Sequence, residues 1–219
     1  MGKARKGILD GFIGKVGTVV GSFWKGIKVM RSYNDFPSNP KTSAQQLQRA
    51  KFALLGKVGG ALNEVLCIGL HNDATKHVST PVGEFMDLNL PHVTGTAENP
   101  AIDWESLSIS DGSLTPVGMG ELDLSSAGKV KCAIESPNTS KFNSEHDAVY
   151  LVAINTVRNE AAMNDDGAKR NTSEDIVIEC PSYWTGEQVQ VYAFVKAAPG
   201  AKDPTRTSPT IYVGHGAVA

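Results

Sequence analysis

Five histidines, three cysteines and a few close carboxylates are the side chains through which this 219-residue sequence could do chemistry. His71, His77, His92, His146 and His215 show neither an HExxH arrangement nor His–Cys metal-ligand spacing. His71 and His77 stand near a predicted helix end, where surface or capping roles suit them. Cys67, Cys132 and Cys180 form no CxxC pair. An odd count suits a reducing compartment with the thiols buried as small apolar groups, although Cys132 and Cys180 would pair if they faced each other across two sheets. Asp103-x-Glu105 and Glu174-Asp175 are paired carboxylates, but no pattern places them in the pocket that acid–base catalysis requires. Asp165-Asp166-Gly167 lacks the further oxygen ligands of a calcium loop and reads as a hairpin turn. Gly14-Lys15 and Gly56-Lys57 lack the spacing and the following Ser or Thr of a phosphate-binding loop. Neither GxGxxG nor GxSxG occurs. The expectation is a protein that is not an enzyme and uses no metal or cofactor.

The unusual stretch is residues 7–32, GILDGFIGKVGTVVGSFWKGIKVMRS, with six glycines at Gly7, Gly11, Gly14, Gly17, Gly21 and Gly26. Val16, Thr18 and Val20 alternate with Gly17, Val19 and Gly21; Ile27, Val29 and Arg31 alternate with Lys28, Met30 and Ser32. Lys25-Gly26 fits a turn between two strands. Glycine within a strand marks a bulge or a close backbone approach, and Val, Ile, Phe and Trp here need burial. The segment reads as an assembly element whose interface comprises Gly14, Val16, Gly17, Val20, Gly21, Phe23, Trp24, Lys25, Ile27 and Arg31. Charge divides with it. Residues 1–60 carry +9 and residues 61–219 carry −11, within a net charge of −2. A basic segment on an acidic neighbour favours head-to-tail association. Lys15, Lys25, Lys28 and Arg31 interleaved with Phe23, Trp24 and Tyr33 also match a nucleic-acid-binding pattern, against which the acidic remainder weighs.

Composition, 41% hydrophobic and 20% charged, is that of a globular protein. Residues 34–42, NDFPSNPKT, form a linker. Thr42 or Ser43 can cap a helix over 43–70, with Leu47, Ala50, Leu54, Val58, Leu62, Val65, Leu66 and Leu70 at helical spacing. Gly56, Gly59 and Gly60 weaken it or allow close contact. Residues 74–105 read as a connecting region, with 82–90 a short strand or helical turn. From 106 the pattern is all-β. Residues 107–110 precede the turn Asp111-Gly112, 129–134 and 175–180 alternate, 148–157 (AVYLVAINTV) is a continuous apolar strand of central type, and 188–196 and 208–214 follow. This spacing predicts a sandwich. Residues 181–191 resemble the corner before the penultimate strand of fibronectin type III and related immunoglobulin-like domains, without the corner tyrosine or a Cys…Trp…Cys spacing. The predicted fold is mainly β with one long helix. It comprises a Gly-rich basic β arm (1–33), a linker, helix and connecting region (34–105), and an immunoglobulin-like β-sandwich (106–219).

The opening is similar to that of an uncharacterised family common in Bacteroidetes and classed as a domain of unknown function. Its G-F-x-G-K-V-G-x-V-V-G-x-x-W-K-G block corresponds to Gly11, Phe12, Gly14, Lys15, Val16, Gly17, Val19, Val20, Gly21, Trp24, Lys25 and Gly26. Arg31-Ser32, Gln48-Arg49-Ala50-Lys51-Phe52 and the C-terminal Ser208 to Gly214 follow. The resemblance implies that arm, helix and sandwich form one unit, and it implies no activity. No apolar h-region follows the basic N-terminus, and no stretch is long enough to span a membrane. The reading is cytoplasmic synthesis, with assembly in a virion or outside the cell by a non-classical route. The leading expectation is a structural protein that self-assembles through its arm as a filament, appendage or virion component, with itself as partner. The alternatives are an immunoglobulin-like binding module for a protein or glycan, and a nucleic-acid-binding protein using the arm.

Overall fold

The computed structural model describes residues 3–4, 12–24, 26–77, 79–139 and 143–219. The chain is mainly β, with several antiparallel sheets. It divides into two compact units, residues 1–42 and 43–219. The first is a sheet of order β1-β2-β3-β4, from β1 (Lys3–Ala4), β2 (Phe12–Val16), β3 (Val19–Trp24) and β4 (Ile27–Ser32). Both tight turns use glycine at positive φ, Gly17 at +59° and Gly26 at +82°, a conformation that costs a side-chain-bearing residue energy.

The second unit begins with α1 (Ser43–Ala61) and α2 (Asn63–Gly69). The single helix expected over 43–70 is therefore two, bent by 84° at Leu62. The apolar rhythm runs through the bend, because Val58, Leu62, Val65 and Leu66 all enter one core. Hydrogen bonding also continues, from Leu62 N to Val58 O and from Leu66 N to Leu62 O. The direction changes because Leu62 opens to ψ 6°, far from the helical value near −42°. α3 (His71–Lys76) and α4 (Pro81–Asn89) follow, then β5 (Val93–Gly95) and β6 (Pro100–Ile102). Helix α4 occupies the stretch read as a short strand or helical turn. Its start is fixed by Thr80, whose side chain accepts from Gly83 N, and by Pro81 in the first turn.

Two sheets complete the unit. β7 (Gly118–Asp123), β8 (Lys129–Ser136) and β12 (Ile176–Glu179) form one, in the order β12-β8-β7. β9 (Ala148–Asn155), β10 (Glu160–Met163), β13 (Gln188–Lys196) and β14 (Ile211–Ala217) form the other, in the order β10-β9-β13-β14, with β11 (Ala168–Lys169) also on β9. The larger sheet is the middle layer. Val149, Leu151, Ala153, Val189, Val191, Ala193 and Val195 share a core with Val130, Cys132, Ile176 and Ile178 of the smaller sheet. Tyr150, Val152, Ile154, Tyr192 and Phe194 share a core with Leu55, Leu62, Leu66 and Phe85 of the helices. Burial on both faces explains the unbroken apolar run of β9. Each such Val, Leu, Ile or Phe contributes about 1.5–3 kcal/mol. Cross-strand partners Tyr150 and Phe194 stack with ring centroids 5.3 Å apart.

Residues 107–110 do not form the expected strand. Leu107 and Ile109 are buried as alternation demands, but side chains satisfy the backbone. Ser108 N donates to Asn89 Oδ1, and Ile109 N and Ser110 N both donate to Thr210 Oγ1. The cysteines are free. Cys132 is buried, and burial pushes its thiol up to about 11; Cys67, expected inside, is exposed. Arg170 and Asp147 are a fully buried ion pair, Nε to Oδ2 3.4 Å. Arg170 also donates to the carbonyls of Pro137 and Thr115, and Asp147 accepts from Ser144 N and Ala198 N. Among the described residues no single helix is long and apolar enough to cross a membrane.

Candidate assembly surface

The residues read as an assembly interface all lie in the first unit, and its register sorts them. Gly14 stands opposite Gly21 and Gly21 opposite Met30, while Lys15 stands opposite Val20 and Val20 opposite Arg31. Directly paired residues share a face. One face therefore carries Gly14, Val16, Gly21 and Phe23, with Lys28 and Met30. The other carries Lys15, Val20, Trp24, Ile27 and Arg31, with Val29. Gly17 sits in the β2–β3 turn. Lys25 lies outside the described residues, as do Gly7 and Gly11; strands β3 and β4 meet around the Lys25-Gly26 position, Trp24 opposite Ile27.

Glycine has different jobs here. Gly21 is buried, and a Cβ on it would run into the Phe12 carbonyl and meet the Phe12 ring at 3.0 Å. Gly21 thus lets Phe12 close over the sheet. Gly17 has open space around it, and only its positive φ calls for glycine.

Among the described residues both faces carry exposed apolar side chains. Trp24 is 55% exposed, Ile27 53%, Met30 53% and Phe23 47%. Ile13, Val16 and Val29 are exposed as well. Soluble surfaces seldom gather so many large apolar side chains, and a small sheet without a packed face is marginally stable. The cations lie among them. Lys15 Nζ sits 3.3 Å above the Tyr33 ring and 3.8 Å from Asp35, and Lys28 Nζ is 6.0 Å from the Phe23 centroid. β4, six residues long and at the end of the sheet order, is an edge strand, the kind of edge that another chain can extend. Ile13, Val29 and Met30 join the surface without having been singled out from the sequence. Alternation through 27–32 was the signal for Val29 and Met30, but it does not say that both stay exposed on opposite faces.

The second unit carries a groove of about 570 Å³ where two sheet edges run side by side. β10 and β12 are terminal strands of their sheets. Ala162 on β10, Val177 and Glu179 on β12, Glu64 on α2, and the turn residues Asp165 and Asp166 line it. Glu179 is 3.5 Å from Lys129. Sequence reading assigned Asp165-Asp166-Gly167 to a turn, and that turn joins β10 to β11, with Gly167 at φ +67°. It did not bring Glu64 and Glu179 to the same place, because that depends on how helix and sheets pack.

The other candidate groups serve local structure. His77 Nδ1 is 2.8 Å from the buried carboxylate of Glu84, which raises the histidine above its ordinary value near 6.5. Asp103 accepts from Ser106 Oγ. Glu187 binds Arg158 and Asn155 and is held below its ordinary value by them. Among the described residues no group of three or more His, Cys, Asp or Glu is arranged to hold a metal.

No curated protein matches the chain. A family of unknown function, DUF6266, matches residues 11–214, and the chain belongs to that family.

Proposed function

We propose that the protein is a non-enzymatic structural component that self-assembles, its N-terminal sheet joining a neighbouring subunit as an added edge or shared sheet. One observation carries this reading: the sheet of residues 12–32 has apolar side chains exposed on both faces and a six-residue strand at its edge. A neighbour that covers Trp24, Ile27 and Val29 on one face removes about 25 cal/mol of unfavourable hydration per Å² of apolar surface. A contact between two different surfaces of the same chain repeats, giving rings or open filaments. The described part of the Gly-rich block that opens the family resemblance, residues 12–24 and 26, lies in this same sheet and its turns.

The second unit is read as an immunoglobulin-like sandwich. Two facing antiparallel sheets, ordered β12-β8-β7 and β10-β9-β13-β14, support this reading. The helical layer against the second sheet is an addition to it. The sandwich also keeps the binding-module reading open, favoured by the groove beside β10. Light scattering coupled to size-exclusion chromatography decides between the two. Self-assembly predicts a mass above one chain that rises with concentration and falls to that of a monomer when Trp24 and Ile27 are both changed to Ser. A wild-type mass of one chain throughout would refute assembly and leave the binding module. A nucleic-acid role requires a gel shift with steep salt dependence.

A further inference from the structure

We propose that the acceptor for the basic sheet is the groove along β10 of a second copy, so that strands β2–β4 of one chain extend the β10 edge of the next. The inference rests on the self-assembly reading and names the missing half of its contact.

Three observations select this place. β10 is a terminal strand of the central sheet, and beside it lies β12, a terminal strand of the smaller sheet. Together with the α1–α2 corner at Ala61, Glu64 and Val65 they leave a groove of about 570 Å³. An edge with a groove beside it offers both elements of strand addition, main-chain pairing and a seat for side chains. The floor is apolar in part, from Ala161, Ala162, Met163 and Val177, and the rim is acidic, from Glu64, Asp165, Asp166 and Glu179. Glu64, Asp165, Asp166 and Glu179 are all exposed. Lys129 offsets part of the Glu179 charge, and Lys169 lines the adjoining end, together with Glu174 and Asp175.

The occupant follows from complementarity. Residues 12–33 contain Lys15, Lys25, Lys28 and Arg31 and no acidic residue. Asp35 lies 3.8 Å from Lys15 and offsets part of that charge. A strand that enters an acidic rim over an apolar floor needs this mixture of cations and exposed apolar side chains. The two units, residues 1–42 with eight Lys or Arg and two Asp (+6) and residues 43–219 with thirteen Lys or Arg and twenty-one Asp or Glu (−8), give the same preference over longer range. Like copies of either surface repel, so each sheet meets the groove of another copy, in a head-to-tail chain or a reciprocal pair.

The test is charge exchange in the full chain, read by sedimentation velocity with circular dichroism to verify folding. A groove variant carries Glu64→Lys, Asp165→Lys and Asp166→Lys; a sheet variant carries Lys15→Glu, Lys28→Glu and Arg31→Glu. Each alone should weaken self-association roughly tenfold or more, as expected when three exposed pairs change from attraction to repulsion. Mixed one to one, the variants should assemble again, because each sheet then meets a groove of opposite charge. That rescue distinguishes complementarity from misfolding. A folded groove variant that assembles like wild type, while the sheet variant does not, overturns the groove assignment and leaves self-assembly through the sheet standing. Wild-type protein that is monomeric at every concentration removes both. Intramolecular docking of the sheet predicts monomers throughout, and so counts against the proposal.

Discussion

Replacing Arg170 with Met tests what holds the second unit together. The Arg170 side chain is fully buried and Asp147 is 2% exposed. The substitution removes two charge-assisted hydrogen bonds to the carbonyls of Pro137 and Thr115. It also leaves the Asp147 carboxylate buried with Ser144 N and Ala198 N as its donors among the described residues. Removing one partner of a buried ion pair costs ~3–5 kcal/mol. For a protein of this size each kcal/mol lowers the melting temperature by about 2–4 °C, so Arg170→Met should melt roughly 6–20 °C below wild type. Urea unfolding followed by tryptophan fluorescence measures the free energy, and calorimetry the temperature. The double variant with Asp147→Asn should lose less than the sum of the single changes, because the neutral amide no longer needs a counter-charge. A single-variant loss below about 1 kcal/mol, in the range of an exposed pair, would refute the reasoning. It would mean that water reaches the pair in solution.

Glycine substitutions in the helices should have opposite signs. Gly56 and Gly60 have open space where a Cβ would go, so Gly56→Ala and Gly60→Ala should each stabilise by ~1 kcal/mol. A Cβ on Gly69 would lie 2.5 Å from the Ile109 carbonyl oxygen, so Gly69→Ala should destabilise in the same urea assay. The His77–Glu84 pair predicts a pH dependence. The histidine is raised in the folded state, chiefly by its hydrogen bond to Glu84. Its contribution is fully present below the ordinary value near 6.5 and is lost as pH rises through the folded value. His77→Gln should flatten that part of the stability profile, and an NMR titration of wild type should place His77 above an ordinary histidine.

Sequence pattern identified elements where one force dominated. β13 was readable over 188–196 because nearly every residue there is apolar or alternates, and both cores demand it. The continuous run of β9 likewise signalled a strand with two buried faces. What covers the second face was not readable. Helices α1 and α2 show the face they bury, but not that it packs on Tyr150, Tyr192 and Phe194. The bend at Leu62 was hidden because its apolar spacing serves both helices. Leu107 and Ile109 alternate like a strand, yet their backbone partners are the side chains of Asn89 and Thr210, which no local pattern encodes. Thr80-Pro81 was a legible start for α4, masked by the neighbouring glycine and prolines. The strands of residues 12–32 were legible, since apolar residues alternate there and Gly26 marks a turn. The groove was the least legible, because it is assembled from three separate stretches of chain.

The layered body has a consequence for synthesis. The helical layer precedes the strands it covers, so Leu55, Leu62 and Phe85 leave the ribosome long before Tyr192 and Phe194. The delay is about a hundred residues, or roughly 5–20 seconds at ~5–20 residues per second. Through that interval the nascent chain displays an apolar helical face whose cover is incomplete, because Tyr150, Val152 and Ile154 of β9 emerge before Tyr192 and Phe194 do. Docking of β13 is therefore a late event in covering this surface. A slow codon run shortly before it would prolong contact with chaperones more than one placed anywhere after it.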